Sequence, residues 1–225
     1  MKEKTDKSEP QSGITGIVAM LEEEIALGKI GPRERLVEEE LAQRFDVKRH
    51  VARQALADLE SMGLVVRQPH RGAAVRDYDV AEIEQLYAAR QLVECYAAGL
   101  IALPASDELV EALQAIHERH SAAVMAGNLR RVFRENLLFH KTFFAACGNA
   151  PLVEVIDMLA MKTHAIRSFS IGDPDLLAAV CREHAEMIDL LKRNERERLV
   201  TLVGQHLQPA KNAYLKLARH RAPFD

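Results

Sequence analysis

The chain has 225 residues, of which 48% are hydrophobic, and its 30 Lys and Arg residues are slightly outnumbered by 33 Asp and Glu residues. This apolar content excludes a largely disordered chain, and the length allows one large domain or two small ones. No run of about 20 apolar residues is present, which excludes a membrane-spanning helix. Residues 1–12 are polar and lack the apolar stretch of a secretory signal, so we expect a disordered tail on a cytoplasmic protein.

Residues 13–78 predict a small domain of three helices followed by a β-hairpin. The helices are expected over residues 14–27, 37–45 and 48–62, and the strands over residues 64–67 and 73–76. A tight turn at Asp46 and Val47 joins the second helix to the third. Two helices joined by such a turn and followed by a hairpin form a winged helix-turn-helix, whose second helix enters the major groove of DNA.

A local excess of positive charge favours DNA binding by this domain. Between residues 44 and 76 there are seven basic and three acidic residues, although the whole chain has a formal net charge of −3. Polar side chains at the start of the third helix lie opposite its apolar face, where Arg and Gln can contact guanine and adenine edges. The candidate DNA-binding residues are Lys48, Arg49, His50, Arg53 and Gln54 on this helix, Arg35 before the second helix, and His70, Arg71 and Gly72 at the wing tip. A solvated basic helix face is the alternative interpretation, and the turn and wing argue against it.

A resemblance to a known family adds to this interpretation. The N-terminal domain of GntR-type bacterial regulators resembles residues 14–76, which contain the run RLVEEELAQRFDVKRHVARQALADLESMGLVVRQPHRGAAV. The resemblance implies that Arg49 and Arg53 contact DNA and that Arg71 lies at the wing tip. Glu39 stands where the family often has a DNA-contacting arginine, and Asp46 stands where it usually has a glycine. We expect these departures to change the operator that is read and to leave the fold unchanged.

Residues 79–222 predict an all-helical second domain. After Asp79 only helical periodicity is found, and loops rich in glycine, proline and asparagine divide it. The six helices are expected over residues 79–103, 106–126, 129–147, 150–169, 175–193 and 195–221. Six helices with short loops predict an antiparallel bundle. Asn194 is expected to cap the last helix together with Glu197, and Pro209 is expected to bend it because proline lacks a backbone N–H.

The second domain also contains a candidate metal site. Asn136 and His140 are four residues apart and therefore share a helix face, whereas His184 and His206 fall on two later helices. Three imidazoles with one oxygen donor suit a divalent transition metal, zinc first, with nickel and manganese as further candidates. Two alternatives remain: the histidines are structural, or they hold the metal and water of a metal-dependent hydrolase. The sequence places no evident general base beside them, which weighs against the hydrolase.

A second resemblance concerns this domain. The FCD effector domain, found in the FadR-like branch of GntR regulators, is similar to residues 80–221 and has a signature like NLLFHKTFFAACGNAPL. The resemblance implies that Asn136, His140, His184 and His206 ligate a metal, with Asn136 in place of an aspartate. Because a neutral amide oxygen is a poorer ligand for a hard cation than a carboxylate, we expect this exchange to alter affinity or metal preference.

The predicted effector is a small organic acid. Arg90 either forms an ion pair with Glu94 four residues later or, as the FCD resemblance implies, faces the effector cavity and binds a carboxylate. His164 and Arg167 are further effector-binding candidates. The remaining histidines of this domain are assigned to solvent: His117, His120 and His220. We therefore expect a transcriptional regulator rather than an enzyme, a repressor by default, that binds a double-stranded DNA operator as a homodimer.

Overall fold

The computed structural model describes residues 13–68, 72–167 and 170–218, apart from the side chains of Gln68 and Leu217. The expected N-terminal tail lies outside the described residues, as do His70 and Arg71 of the predicted wing tip. None of the described helices combines the length and the apolar character that crossing a bilayer requires.

The N-terminal domain is a three-helix unit with a small antiparallel sheet, as predicted. Its elements are α1 (Ile14–Ala26), β1 (Arg35–Leu36), α2 (Glu38–Arg44), α3 (Arg49–Ser61), β2 (Val65–Gln68) and β3 (Gly72–Val75). The strand order is β1-β3-β2, and the two-residue β1, which the sequence did not predict, pairs Arg35 with Ala74. Asp46 adopts φ = 51° in the turn between α2 and α3, so an aspartate takes the left-handed conformation there. The core contains Leu21, Leu56 and Leu59.

The second domain is a helical bundle, which confirms the predicted fold class. Its helices are α4 (Val80–Leu100), α5 (Asp107–Met125), α6 (Leu129–Ala145), α7 (Ala150–Lys162), α8 (His164–Arg167), α9 (Pro174–Arg193), α10 (Arg196–His206) and α11 (Gln208–Ala218). Its main core is formed by apolar residues of α4, α5, α6, α9 and α10, among them Leu113, Phe139, Phe143 and Leu191.

Side-chain caps explain where most of these helices begin. Asp79 accepts a hydrogen bond from the backbone N–H of Glu82 at 2.8 Å, and the Glu82 carboxylate accepts one from the Asp79 N–H at 3.1 Å. This capping box starts α4, and each such cap stabilises a helix by about 1 kcal/mol. The corresponding cap residues of α5, α6, α7 and α9 are Ser106, Asn128, Asn149 and Asp173.

Two predicted helices are each divided in the structure. The helix expected over residues 150–169 ends at Lys162 and resumes as the short α8. The last helix is interrupted at Leu207, which confirms the irregularity predicted from Pro209. The predicted cap at Asn194 was wrong: this residue ends α9 in the left-handed conformation, φ = 57°, and Glu195 occupies the N-cap position of α10.

The two domains pack against each other through α1. Ala26 and Leu27 contact an apolar cluster that includes Val132 and Phe133 of α6. Beside this cluster, the carboxylate of Glu23, only 4% exposed, forms ion pairs with Arg130 and Arg134 of α6.

The connection between the domains is held by the last helix. The hydroxyl of Tyr214 in α11 accepts a hydrogen bond from the Tyr78 N–H at 3.0 Å and donates one to Asp77 at 2.6 Å. Burial raises the pKa of the Tyr78 hydroxyl to about 12. The segment that leads into α4 is therefore fixed to α11 by buried polar contacts.

Candidate functional site

Three of the four predicted metal-binding residues meet in the bundle. His140 on α6, His184 on α9 and His206 on α10 have ring centroids 5.0–5.2 Å apart. The Nε2 atoms of His140 and His206 are 3.2 Å apart, and one ring nitrogen from each of the three residues lies within 4.8 Å of the others. Such a cluster of imidazole nitrogens offers the donor set that first-row transition metals prefer.

The surroundings of His140 and His184 disfavour the charged form of their rings. Burial, with the nearby His206 as the next cause, lowers the pKa of both His140 and His184 well below the ordinary range. Both ring nitrogens of the buried His184 lack a hydrogen-bond partner among the described residues, and its ring stacks on Phe139 at 3.9 Å. A neutral imidazole has the free lone pair that metal binding requires.

The orientation of His206 is set by an acidic neighbour. Its Nδ1 atom lies 2.5 Å from a carboxylate oxygen of Glu183, which leaves Nε2 on the side of His140. A carboxylate on the far nitrogen fixes the tautomer of a ligating histidine and raises its basicity. Glu183 directly precedes His184 in α9, but nothing in the sequence alone pairs it with His206.

Asn136 lines the same cavity as His140 and His206, one helical turn before His140 on α6. The cavity has a volume of about 90 Å³ and is partly open to solvent. Its apolar walls include Val132 and Leu177, and a few polar groups point into it, the usual composition of a small-molecule site.

The two predicted effector arginines differ in what they contact. Arg90 forms the predicted ion pair with Glu94, to which its buried side chain donates a hydrogen bond at 2.7 Å, and it donates another to Thr163 at 3.1 Å. It also lines the cavity. Arg167 also lines the cavity, but its buried Nη1 has no partner among the described residues. Burial, and then the charge of Arg90, lowers the pKa of Arg167 to about 10. Among the described residues, Arg90 therefore has an ion-pair partner in Glu94, and no ion pair is found for Arg167.

Two histidines differ from expectation. His164 is buried at the domain junction instead of lining the cavity, with its Nδ1 2.9 Å from the Glu22 carboxylate of α1. The assignment of His120 to solvent was wrong: it is fully buried, lines the cavity and has its ring 5.3 Å from that of His184. The signal for His120 was present in the sequence, because it continues the helical spacing of the buried Leu113 and Ile116.

The predicted DNA-binding residues of α3 share one exposed surface. Lys48 precedes the helix, and the remaining residues follow on its first two turns, away from the buried Ala52 and Leu56. The exposed candidates of the N-terminal domain are Arg35, Lys48, Arg49, His50, Arg53 and Gln54. Gly72 begins β3 with φ = 82°, and a Cβ there would meet the Leu36 carbonyl oxygen at 2.5 Å, so only glycine fits.

A carboxylate that the sequence analysis missed organises this surface. Glu38, at the start of α2, accepts hydrogen bonds from Arg53 at 3.1 Å and from Arg49 at 3.1 Å, and Arg67 of β2 lies 3.5 Å away. The hydrogen bond from Arg53 is the main cause that lowers the pKa of Glu38, despite the opposing effect of its burial. Glu38 therefore ties α2, α3 and the wing strand together.

Comparison with known proteins identifies the family. A model described as bacterial regulatory proteins, gntR family, matches residues 14–75, and a model described as the FCD domain matches residues 85–209, more than half of the chain. The chain belongs to the GntR family. This GntR-family protein is a transcriptional regulator and not an enzyme, so the hydrolase alternative is set aside.

Curated relatives of this protein are also named as transcriptional regulators. The HTH-type transcriptional repressor RspR of Escherichia coli (strain K12) is 26% identical over 197 residues, which covers 85% of this chain and 84% of that protein. The HTH-type transcriptional regulator YdhC of Bacillus subtilis (strain 168) is 24% identical over 171 residues, 76% of each chain.

Solved structures support the fold of this regulator. E. coli McbR/YncC matches with a TM-score of 0.78 at 17% identity and covers 91% of this chain and 97% of its own. A GntR-type transcriptional regulator from Rhodococcus sp. RHA1 matches with a TM-score of 0.76 at 21% identity and covers 90% and 97%. At these identities the likeness shows the shared fold.

Proposed function

We propose that this regulator is a repressor that binds a double-stranded DNA operator and is controlled by a small carboxylate, held at a metal centre in the bundle. The observation that carries the proposal is that His140 and His206 of the histidine cluster line the same cavity as Arg167, whose buried Nη1 has no partner among the described residues. We assign residues 13–78 to DNA binding and residues 79–222 to effector binding and dimerisation.

On the DNA side, the proposed base contacts come from Arg49 and Arg53, because both are exposed and their guanidinium groups are held in place by Glu38. Lys48, at the helix start, is placed to hold a phosphate. Arg35, His50 and Gln54 are exposed as well and are proposed to take part in DNA binding. The wing residues His70, Arg71 and Gly72 are proposed to approach the minor groove.

Arg53→Ala tests the DNA-reading surface. If Arg53 contacts a guanine edge, its loss is expected to weaken binding to an operator selected from a random-sequence library by about 1–3 kcal/mol. Fluorescence anisotropy measures this effect. Arg193→Ala is the matched control, since it removes the same charge from the exposed end of α9. Equal affinities of the two variants would show that Arg53 does not read DNA.

On the sensor side, His140, His184 and His206 would hold the metal, with Asn136 as the proposed oxygen donor. A bound zinc, nickel or manganese ion would supply positive charge and open coordination positions for a carboxylate. Arg167 is proposed to bind an acid group of the effector, because an unpartnered buried donor costs about 1–3 kcal/mol that an anion would recover. Arg90 lines the same cavity and is proposed as a second binding group for the acid. His164 would act at the domain junction rather than on the effector.

Arg167→Leu tests the effector site. We expect the metal content to be unchanged and the ligand-free variant to be no less stable, because the substitution removes an unpaired buried charge. Carboxylates that raise the Tm of the metal-loaded wild-type protein in a thermal-shift screen are expected to lose that effect in the variant. Arg182→Leu, at an exposed position of α9, controls for the loss of charge. The proposal fails if the same carboxylates stabilise Arg167→Leu equally.

The contacts at the domain junction provide a route for control. Helix α6 presents Asn136 and His140 to the cavity, and on its first turns Arg130 and Arg134 hold Glu23 of α1. A ligand that favours one position of α6 would therefore favour one position of α1 and of the DNA-reading surface. Coupling of this kind requires only that the effector bind the two arrangements with different affinities.

A homodimer is proposed to form through α4 and α7. The second half of α4 exposes large apolar side chains, among which Leu92 and Tyr96 are 73% and 61% exposed. Val155 and Met158 extend this surface onto the adjacent α7. We expect a second copy of the chain to cover this surface, because winged-helix regulators commonly bind operators of two half-sites as dimers.

A further inference from the structure

We propose that Glu39 competes with DNA for Arg49 and thereby holds down the affinity of this regulator for DNA of any sequence. The inference rests on the proposed DNA-reading surface of α3. Glu39 is the second of three consecutive glutamates at the start of α2, and these three side chains have different surroundings.

The contacts of Arg49 carry the inference. Its Nη1 donates a hydrogen bond to the Glu39 carboxylate at 3.1 Å, while its Nε donates one to Glu38, also at 3.1 Å. Arg49 is the first residue of α3, where the side chains of a recognition helix meet DNA. The carboxylate of Glu39 therefore occupies hydrogen-bonding capacity of Arg49 that a phosphate or a base would otherwise use.

Glu38 and Glu39 differ in how they hold their partners. The side chain of Glu38 is 11% exposed and contacts Arg49, Arg53 and Arg67, so it is an anchor of the domain. The side chain of Glu39 is 74% exposed, and Arg49 is the partner found for it among the described residues. An exposed pair of this kind is weak and exchanges readily with another anion. Glu39 is thus able to release Arg49 to DNA without disturbing the fold.

The charge of Glu39 acts on every DNA sequence, but its effect on total affinity depends on what Arg49 gains. Non-specific binding offers phosphates, which compete with Glu39 for the guanidinium of Arg49. An operator also offers a base edge. A bidentate arginine contact to that edge distinguishes one base pair from another, which a phosphate contact cannot do. A carboxylate at this position therefore suppresses phosphate-only binding most, which raises the ratio of specific to non-specific affinity.

Glu39→Gln tests the inference with a generic duplex of random sequence as the probe. The variant is expected to bind that duplex about twofold to fivefold more tightly at physiological salt, the range set by an exposed ion pair. Glu40→Gln is the control, because it removes the same charge from the next exposed position of α2. An unchanged affinity of Glu39→Gln, or an equal gain in Glu40→Gln, would overturn the inference.

A double-variant cycle separates competition for Arg49 from simple repulsion of phosphates. In an Arg49→Ala background the gain from Glu39→Gln is expected to disappear, because there is no guanidinium left to release. A gain that persists in that background would overturn the proposed competition. If Arg49→Ala alone does not weaken DNA binding, the proposed DNA-reading surface itself is wrong. If it does and Glu39→Gln has no effect, only the inference about Glu39 fails.

Discussion

Replacing His184 with alanine is expected to abolish metal binding by this regulator. His184 is fully buried at the centre of the histidine cluster, and neither of its ring nitrogens has a protein partner among the described residues. Loss of the hydrogen-bond partner of a metal ligand lowers metal affinity about 10- to 100-fold, and we expect loss of the ligand itself to exceed that range. Elemental analysis of the purified protein and calorimetric titration with zinc measure the effect, and His140→Ala is expected to behave in the same way.

Two further variants make this experiment specific. His117→Ala removes a half-buried histidine of α5 that does not line the cavity, so its metal content is expected to match the wild type. Glu183→Gln keeps all three imidazoles but weakens the contact that orients His206, so an intermediate loss of affinity is expected. The metal centre is refuted if both His140→Ala and His184→Ala retain the wild-type metal content.

The double substitution Leu92→Arg and Tyr96→Arg is expected to convert the regulator to a monomer. It places two charges on the apolar outer side of α4, and burying unpaired charges in an interface costs more than a weak dimer can supply. Because a monomer contacts only one half-site, we expect operator affinity to fall by a factor of about 100 or more. Sedimentation analysis measures the mass, and fluorescence anisotropy measures the affinity.

Met125→Arg is the matched control for the dimer. This methionine is 85% exposed at the end of α5, outside the surface formed by α4 and α7. Its substitution is expected to leave both the mass and the operator affinity unchanged. If the double variant sediments as the wild type does, the interface lies elsewhere on the molecule. If it becomes monomeric and still binds the operator fully, the proposed two-half-site reading is incorrect.

Local pattern was enough to predict most of the fold. The spacing of apolar residues in α3 and the turn at Asp46 each act over three or four residues, so the sequence displays them directly. The short range of these patterns also explains why the predicted cap was wrong. Asn194 looks like an N-cap by spacing, but its left-handed backbone ends the preceding helix.

The sequence by itself determined that a basic winged helix precedes a helical bundle, and the FCD resemblance singled out His140, His184 and His206 from nine histidines. Only the tertiary structure decided that these three rings meet, since His140 and His206 are 66 residues apart and no local rule connects them. It also decided that Arg90 forms an ion pair with Glu94 while no ion pair is found for Arg167 among the described residues, and that His120 is buried. Those properties depend on which side chains from distant helices share a cavity, and packing alone establishes that.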